Sequence, residues 1–287
     1  MKIVHTISEV REGIQVAKKK DACVGCVPTM GALHAGHGSL IEAAKKECDF
    51  VVVTIFVNPT QFGPGEDLDK YPRTLESDCS YCQQLGADLV FAPSAEEMYP
   101  AEQLTWVEVE QLTDGLCGAK RPGHFRGVTT VCAKLFNIIQ PDIAYFGQKD
   151  AQQALVIQRM VRDLNMPLEI RVCPIVREPD GLAMSSRNKY LSSEERKRAL
   201  CLYKALQACV QEAAAGNQDV ESLIGQMKSI IEQDHGRIDY IRIVDTDTLE
   251  QLDRIEEKAL VAVAVYIGNT RLIDNFVIDL KSEKNSL

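Results

Sequence analysis

No stretch of this 287-residue chain reaches the roughly 18 consecutive apolar residues of a membrane span. Its N-terminus, MKIVHTISEVREGIQ, lacks the apolar run of a secretory signal. A membrane partner is therefore not expected, and a cytoplasmic location is. Positive charge is not in excess either. With a net charge of −9, the overall field disfavours nucleic acid as a partner, so an anionic ligand must be held by a local cluster of donors. Internal repeats and low-complexity segments are missing. Ten cysteines include two C-x-x-C pairs, Cys23/Cys26 and Cys79/Cys82, but the ligands that would complete a zinc cage are lacking. The first pair falls in an expected strand, where positions three apart face opposite ways. The second shares a helical face with no histidine or further cysteine nearby. No protein-held metal is expected, and in a reducing compartment the cysteines read as small core residues.

What is present is the patterning of an α/β protein. An apolar fraction of 45% and a charged fraction of 25% are ordinary globular values, and the length suits two domains. Apolar runs at 22–27, 50–57, 88–91, 143–146 and 169–176 read as strands, several without polar alternation. Helical spacing separates them at 39–47, 75–85, 127–139 and 151–164. Strands apolar on both faces belong to a parallel sheet covered by helices. Such an open sheet is Rossmann-like, and ligands bind beyond the carboxyl ends of its strands. Past Tyr190 the pattern changes. A helix start at Ser192/Ser193 leads into helical spacing to Ala215 and again over 220–233. Apolar runs follow at 240–244, 260–267 and 272–278, the last two joined as a hairpin by GNTR. The expected architecture is a Rossmann-like parallel-sheet domain, 1–177, and a smaller C-terminal α+β domain, 178–287. The Lys18–Lys20 run reads as a solvated helix end, and the tail KSEKNSL as frayed.

The strand ends carry the polar chemistry. The segment PTMGALHAGH, Pro28 to His37, follows the first strand and leads into a helix, an arrangement that offers backbone N–H groups to a phosphate. His34 and His37 stand where the turn becomes that helix, whose N-terminus favours an uncharged imidazole able to donate one N–H. A 17-residue polar loop, NPTQFGPGEDLDKYPRT, follows the second strand; loops of that length commonly line a site. GQKDAQQ, 147–153, brings Lys149, and REPDGLAMSSRN, 177–188, brings Ser185, Ser186 and Arg187, whose planar fork suits phosphate. Taken singly, each is an ordinary surface cation or cap. Donors at three separate strand ends point to a polyphosphate. A second group, Asn58, Gln61, Gln152 and Gln153, supplies neutral amides suited to a small acid with hydroxyl and carboxylate groups. Asp78 and Asp150 are candidates for holding water around magnesium.

PTMGALHAGHGSL, FVNPTQFGPGEDLDKYPRTLESD, RPGHFRGVTTVCAKLFNIIQPDIAYFGQKDAQQ and VREPDGLAMSSRNKYLS occur in this order over almost the whole chain. Together they resemble the pantoate–β-alanine ligase family. H-x-G-H and MSSRN are similar to the HIGH and KMSKS-type signatures of the wider nucleotidylyltransferase superfamily. One departure is local: HAGHGSL has Ala35 where the family usually carries glutamate and Gly38 where it carries leucine, and a glycine early in a helix is unfavourable.

The resemblance implies ligation of pantoate and β-alanine to pantothenate with ATP and Mg2+, through a pantoyl adenylate, releasing pyrophosphate and AMP. It implies an ATP site formed by Met30, Gly31, Ala32, Leu33, His34, Ala35, Gly36 and His37. Gly147, Gln148, Lys149, Asp150, Val176, Met184, Ser185, Ser186 and Arg187 would complete it. His34, His37, Lys149 and Arg187 would be catalytic, with His37 the assigned acid. Since carboxylate attack releases no proton, the chemistry asks only that His37 donate to phosphate. Gln61 and Gln153 would hold pantoate, and Gln61 would also adjoin β-alanine. The C-terminal domain would close over the adenylate, and a homodimer is implied. The alternative is a nucleotidylyltransferase acting on a phosphorylated acceptor.

Overall fold

In the computed structural model, residues 1–281 are described; all of the expected tail except Lys281 lies outside them. No helix among the described residues is long and apolar enough to cross a membrane. The chain divides into two compact units, Met1–Gln148 with Gln152–Pro174, and Lys149–Ala151 with Ile175–Leu287. The sequence reading placed the boundary at 177/178. The chain passes between units slightly earlier, and the short 149–151 segment groups with the second.

The first unit contains β1 (Lys2–Val4), α1 (Ile7–Lys18), β2 (Val24–Thr29), α2 (Ala35–Glu47), β3 (Phe50–Ile55), α3 (Leu75–Gln84), β4 (Leu89–Phe91), α4 (Ala95–Met98), α5 (His124–Ile139), β5 (Ile143–Gly147) and β6 (Glu169–Cys173). It also holds all but the first residue of α6 (Ala151–Asp163). The six strands form one sheet in the order β1-β4-β3-β2-β5-β6, every neighbouring pair parallel. Alternate strand residues enter two different cores. Val24, Cys26, Val52, Leu89 and Phe91 pack with α1, α5 and α6, whereas Val27, Val51, Val53 and Val90 pack with α2 and α3. That two-sided burial is why the strands lack polar alternation. β2 and β5 are neighbours, yet the chain leaves β2 toward β3 and β5 toward β6. Their carboxyl ends therefore mark the topological switch point, the ligand crevice of an open α/β sheet.

The second unit carries α7 (Ser193–Arg198), α8 (Cys201–Ala214), α9 (Val220–Gln233), β7 (Arg237–Val244), β8 (Lys258–Ile267) and β9 (Thr270–Asp279). Its antiparallel sheet runs β7-β8-β9. Leu202, Leu206, Leu223, Met227 and Ile231 from the helices bury against Val261, Val263, Val265 and Ile267. The β8–β9 hairpin turns at Gly268, whose φ of +57° suits glycine.

Several element ends differ from expectation. β6 stops at Cys173 rather than 176, because Pro174 has no N–H for the ladder. The helix expected from 192 to 215 is two helices, α7 and α8. β1 carried no expectation, and of α1 only the basic end was expected. Lys18 does end α1, with Lys19 as its cap.

Candidate active site

The turn after β2 is locked before any ligand arrives. Gly31 and Ala32 both take left-handed backbone, φ +82° and +51°, which folds the chain sharply into α2. The Gly31 N–H donates to Thr29 Oγ1 at 3.1 Å. The Ala32 and Leu33 N–H groups each donate to a different oxygen of the buried Asp78 carboxylate at 2.9 Å. Thr74 Oγ1 donates to Asp78 Oδ2 at 3.0 Å. Two readings are corrected here. The amides of residues 31–33 are engaged within the protein and do not face a phosphate, and Asp78 is the clamp of the turn rather than a holder of magnesium-bound water.

What the turn presents instead is a pair of imidazoles. His34 is the N-cap of α2: its Nδ1 accepts from the Gly36 N–H at 3.1 Å, and its own N–H points to His37 Nδ1 at 3.4 Å. The two rings lie 4.1 Å apart. Capping through Nδ1 requires a lone pair there, so a neutral ring carries its proton on Nε2. Two Nε2–H donors at a helix N-terminus suit an anion. Gly38 has a packing reason. A Cβ there would overlap the Tyr81 hydroxyl and lie 3.1 Å from its Cζ, so this α3 tyrosine occupies the space that a side chain at position 38 would take.

Gln61 stands against this turn. Its Nε2 points to Met30 Sδ at 2.9 Å and its Oε1 accepts from Asn58 Nδ2 at 3.1 Å. Thioether sulfur is a weak acceptor, so the Gln61 amide can exchange it for a stronger ligand oxygen. Asn58 cannot do likewise. Its Nδ2 also donates to the Gly127 carbonyl at 3.2 Å, and its Oδ1 accepts from Tyr99 Oη at 2.9 Å and Thr60 Oγ1 at 3.0 Å. The sequence reading had offered Asn58 as a ligand amide; it is a bracket for Gln61. Gln152 is corrected in the same way. This buried side chain accepts from the Cys117 N–H and donates to the Leu112 and Gly115 carbonyls, each at 2.9 Å. Gln153, one residue on and half-buried, falls on a different face of α6.

A chain of side chains behind Gln61 escaped the sequence reading. Arg121 binds Glu66 through two 2.7 Å hydrogen bonds, from Nε and Nη2. Its Nη1 lies 3.0 Å from Nε2 of the buried His124, whose Nδ1 lies 2.8 Å from the Gln61 carbonyl. Carbonyls only accept, so His124 is protonated on Nδ1 and receives Arg121 at Nε2. Burial raises the Glu66 carboxyl, but the hydrogen bonds and charge of Arg121 outweigh it, and the net shift is downward. The signal was available as R-P-G-H in a quoted motif.

The other candidate residues lie in the second unit. Lys149 Nζ is 3.3 Å from Asp150 Oδ1, and its carbonyl accepts from Nδ2 of the buried Asn275 at 2.9 Å. The adjoining Asp274 is buried and paired with Arg177 at 2.6 Å and 3.1 Å. Burial raises the Asp274 carboxyl against the pull of Arg177 and, more weakly, of Lys149. The Met184 N–H donates to the Val176 carbonyl at 3.0 Å, and Ser185 Oγ caps the Ser186–Tyr190 turn by accepting from the Arg187 N–H at 3.3 Å. Within this unit the fold thus joins Val176 to Met184 and Ser185 to Arg187. Gly147 and Gln148 end β5 in the first unit. No group of three or more histidine, cysteine or carboxylate side chains suited to a metal occurs among the described residues.

The family model described as pantoate–β-alanine ligase matches residues 2–277. The chain belongs to the pantoate–β-alanine ligase family. It is 55% identical over 281 residues to the pantothenate synthetase of Moorella thermoacetica, covering 98% of this chain and 99% of that protein. A crystal structure of the Thermus thermophilus enzyme superposes with a TM-score of 0.92 at 49% identity, covering 96% of this chain and 99% of that one. The pantoate–β-alanine ligase of Francisella tularensis, solved in complex with beta-gamma ATP and β-alanine, gives a TM-score of 0.79 at 37% identity. Its match covers 96% of this chain and 97% of that one.

Proposed function

We propose that this chain joins pantoate to β-alanine with MgATP as co-substrate, through a pantoyl adenylate, working as a homodimer in the cytoplasm. The observation that carries the reading is the 2.9 Å approach of Gln61 to Met30. A side chain suited to a small acid stands on the turn assigned to the nucleotide. That juxtaposition is what attack of a carboxylate on an α-phosphorus needs.

In the first step a pantoate carboxylate oxygen bonds to the α-phosphorus, and the bond from that phosphorus to the bridging oxygen of the β-phosphate breaks. Pyrophosphate leaves with the electron pair. No proton is released, so the protein's task is charge stabilisation. His34 and His37 donate through Nε2–H, and Lys149 and Arg187 supply cations that the first unit's turn lacks. The Ser185 and Ser186 hydroxyls, and the Gly147–Asp150 segment, complete the nucleotide contacts. Gln61 and Gln153 hold pantoate through hydroxyl and carboxylate oxygens. In the second step the uncharged amine of β-alanine attacks the acyl carbon, AMP departs, and the nitrogen loses its proton to solvent. The second unit closes over the adenylate and keeps water away. Closure predicts that amides 177–190 gain exchange protection when ATP and pantoate are added together; unchanged exchange argues against it.

A nucleotidylyltransferase would need cations for its acceptor's phosphate. The Gln61 side chain is held by the neutral amide of Asn58, itself held by the hydroxyls of Thr60 and Tyr99, and the nearby Arg121 is already paired with Glu66, which favours a carboxylate acceptor. Products decide the matter. Enzyme with MgATP and pantoate should yield AMP and pantothenate only when β-alanine is added, whereas a dinucleotide or nucleotidylated phosphate would support the alternative.

A further inference from the structure

Two consecutive polar residues, Asp274 and Asn275, interrupt β9, an outer strand of the second unit's sheet, and each is 3% exposed. Burying a carboxylate and an amide costs free energy unless both find partners, and apolar residues would fill the same volume without that cost. Both partners lie outside the sheet. Asp274 takes Arg177 by two hydrogen bonds, 2.6 Å and 3.1 Å. Arg177 Nη1 also donates to the Gly181 carbonyl at 3.1 Å, and its guanidinium stands 4.8 Å from the Tyr203 ring centroid. A backbone bridge joins Arg177 to Ala183, whose carbonyl accepts from Asn188 Nδ2 at 3.1 Å. The loop that carries Ser185 and Arg187 is thus tied to Asp274, and its Ser186–Tyr190 turn lies against β9. Asn275 holds a different segment. Its Nδ2 donates to the Lys149 carbonyl at 2.9 Å, across 126 residues of sequence, and residues 149–151 group with this unit.

Lysine carries its charge on a long flexible stem, so the ammonium is placed only as well as the backbone from which it starts. The 3.3 Å pair of Lys149 with the exposed Asp150 adds little to that placement. We propose that Asn275 is a positioning residue for Lys149. Its amide hydrogen bond fixes the peptide from which the ammonium projects. Through the adjoining Asp274, the same strand keeps Lys149 in register with the Arg187 loop. Asn275 acts through the Lys149 backbone and not on the substrate itself. The inference rests on the reading of Lys149 as a cation of the adenylation step.

A double-mutant cycle on the full chain tests this, read as pantoate-dependent exchange of pyrophosphate into ATP. Asn275→Leu keeps the side-chain volume and removes the donor; Lys149→Ala removes the ammonium. Asn275→Leu alone should lower the saturated exchange rate by about tenfold or more and leave the KM for pantoate within about twofold. Added to Lys149→Ala, it should lower the rate by less than about twofold further, because the group it places is gone. A tenfold fall that persists on the Lys149→Ala background assigns Asn275 to general stability and overturns the proposal. An Asn275→Leu enzyme with an unchanged rate overturns it too. Native circular dichroism checks each variant, and Asn275→Ala carries the same cycle if the leucine variant does not fold. Undiminished exchange in Lys149→Ala alone is a separate outcome: it overturns the Lys149 reading itself, and the positioning role with it.

Discussion

The two units prepare their candidate residues by different physics. In the first, hydrogen bonds to backbone N–H groups and between neutral amides fix the site: imidazole caps, the Asn58 bracket under Gln61, and the Asp78 carboxylate holding the turn by two backbone N–H groups. In the second, charge does the work. A buried Arg177–Asp274 pair sits beside Asn275, which holds the Lys149 backbone. A charged pair that is broken leaves an uncompensated ion.

The largest expected effect tests that vulnerability. Asp274→Ala strands the Arg177 guanidinium, and the thermal unfolding of the second unit should lose about 4 kcal/mol; a loss near zero would mean the pair is solvated. Next comes Lys149→Ala, which should slow adenylation by about 3 kcal/mol, a rate fall of two orders of magnitude, with the melting temperature little changed. Undiminished pyrophosphate release would remove Lys149 from the chemistry. In the neutral network, Gly127→Ala drives a Cβ to 2.7 Å from the Gln61 Cα. It should cost about 2 kcal/mol of stability and raise the KM for pantoate more than that for ATP. Smallest is Glu66→Gln. The Glu66 carboxyl lies below its ordinary value of 4.5 in the folded protein, so its contribution is complete above pH 4.5 and lost as pH falls through the lowered value. The wild type should exceed the variant by about 1 kcal/mol at neutral pH, with the gap closing on acidification. A gap independent of pH would contradict the charge-based account of that pair.

Much of this was readable from local pattern. Strands buried on both faces left unalternating apolar runs, and β2, β3 and β5 stand where those runs are. The histidine turn was legible because strand, turn and cap are contiguous. Partnerships between distant residues were not. Asp78 is 46 residues from the amide it caps, and nothing local distinguishes a clamp from a metal-water acceptor. Gln152 and Gln153 are identical in type; helical phase alone sends Gln152 into the 112–117 loop. β1 is three residues long, too short for period-two alternation to register. The Thr6–Glu9 capping box that starts α1 was a legible signal left unread. Asp274 and Asn275 interrupt an apolar strand, and that interruption was the available sign that β9 carries more than core.

Pantoate-dependent exchange of labelled pyrophosphate into ATP, measured without β-alanine, bears most directly on acid activation at the Met30–Gln61 turn. Exchange that requires both pantoate and MgATP, and that falls sharply in Gln61→Ala, is the predicted result. Exchange that ignores pantoate, or none while pantothenate still forms, would contradict the acyl-adenylate route.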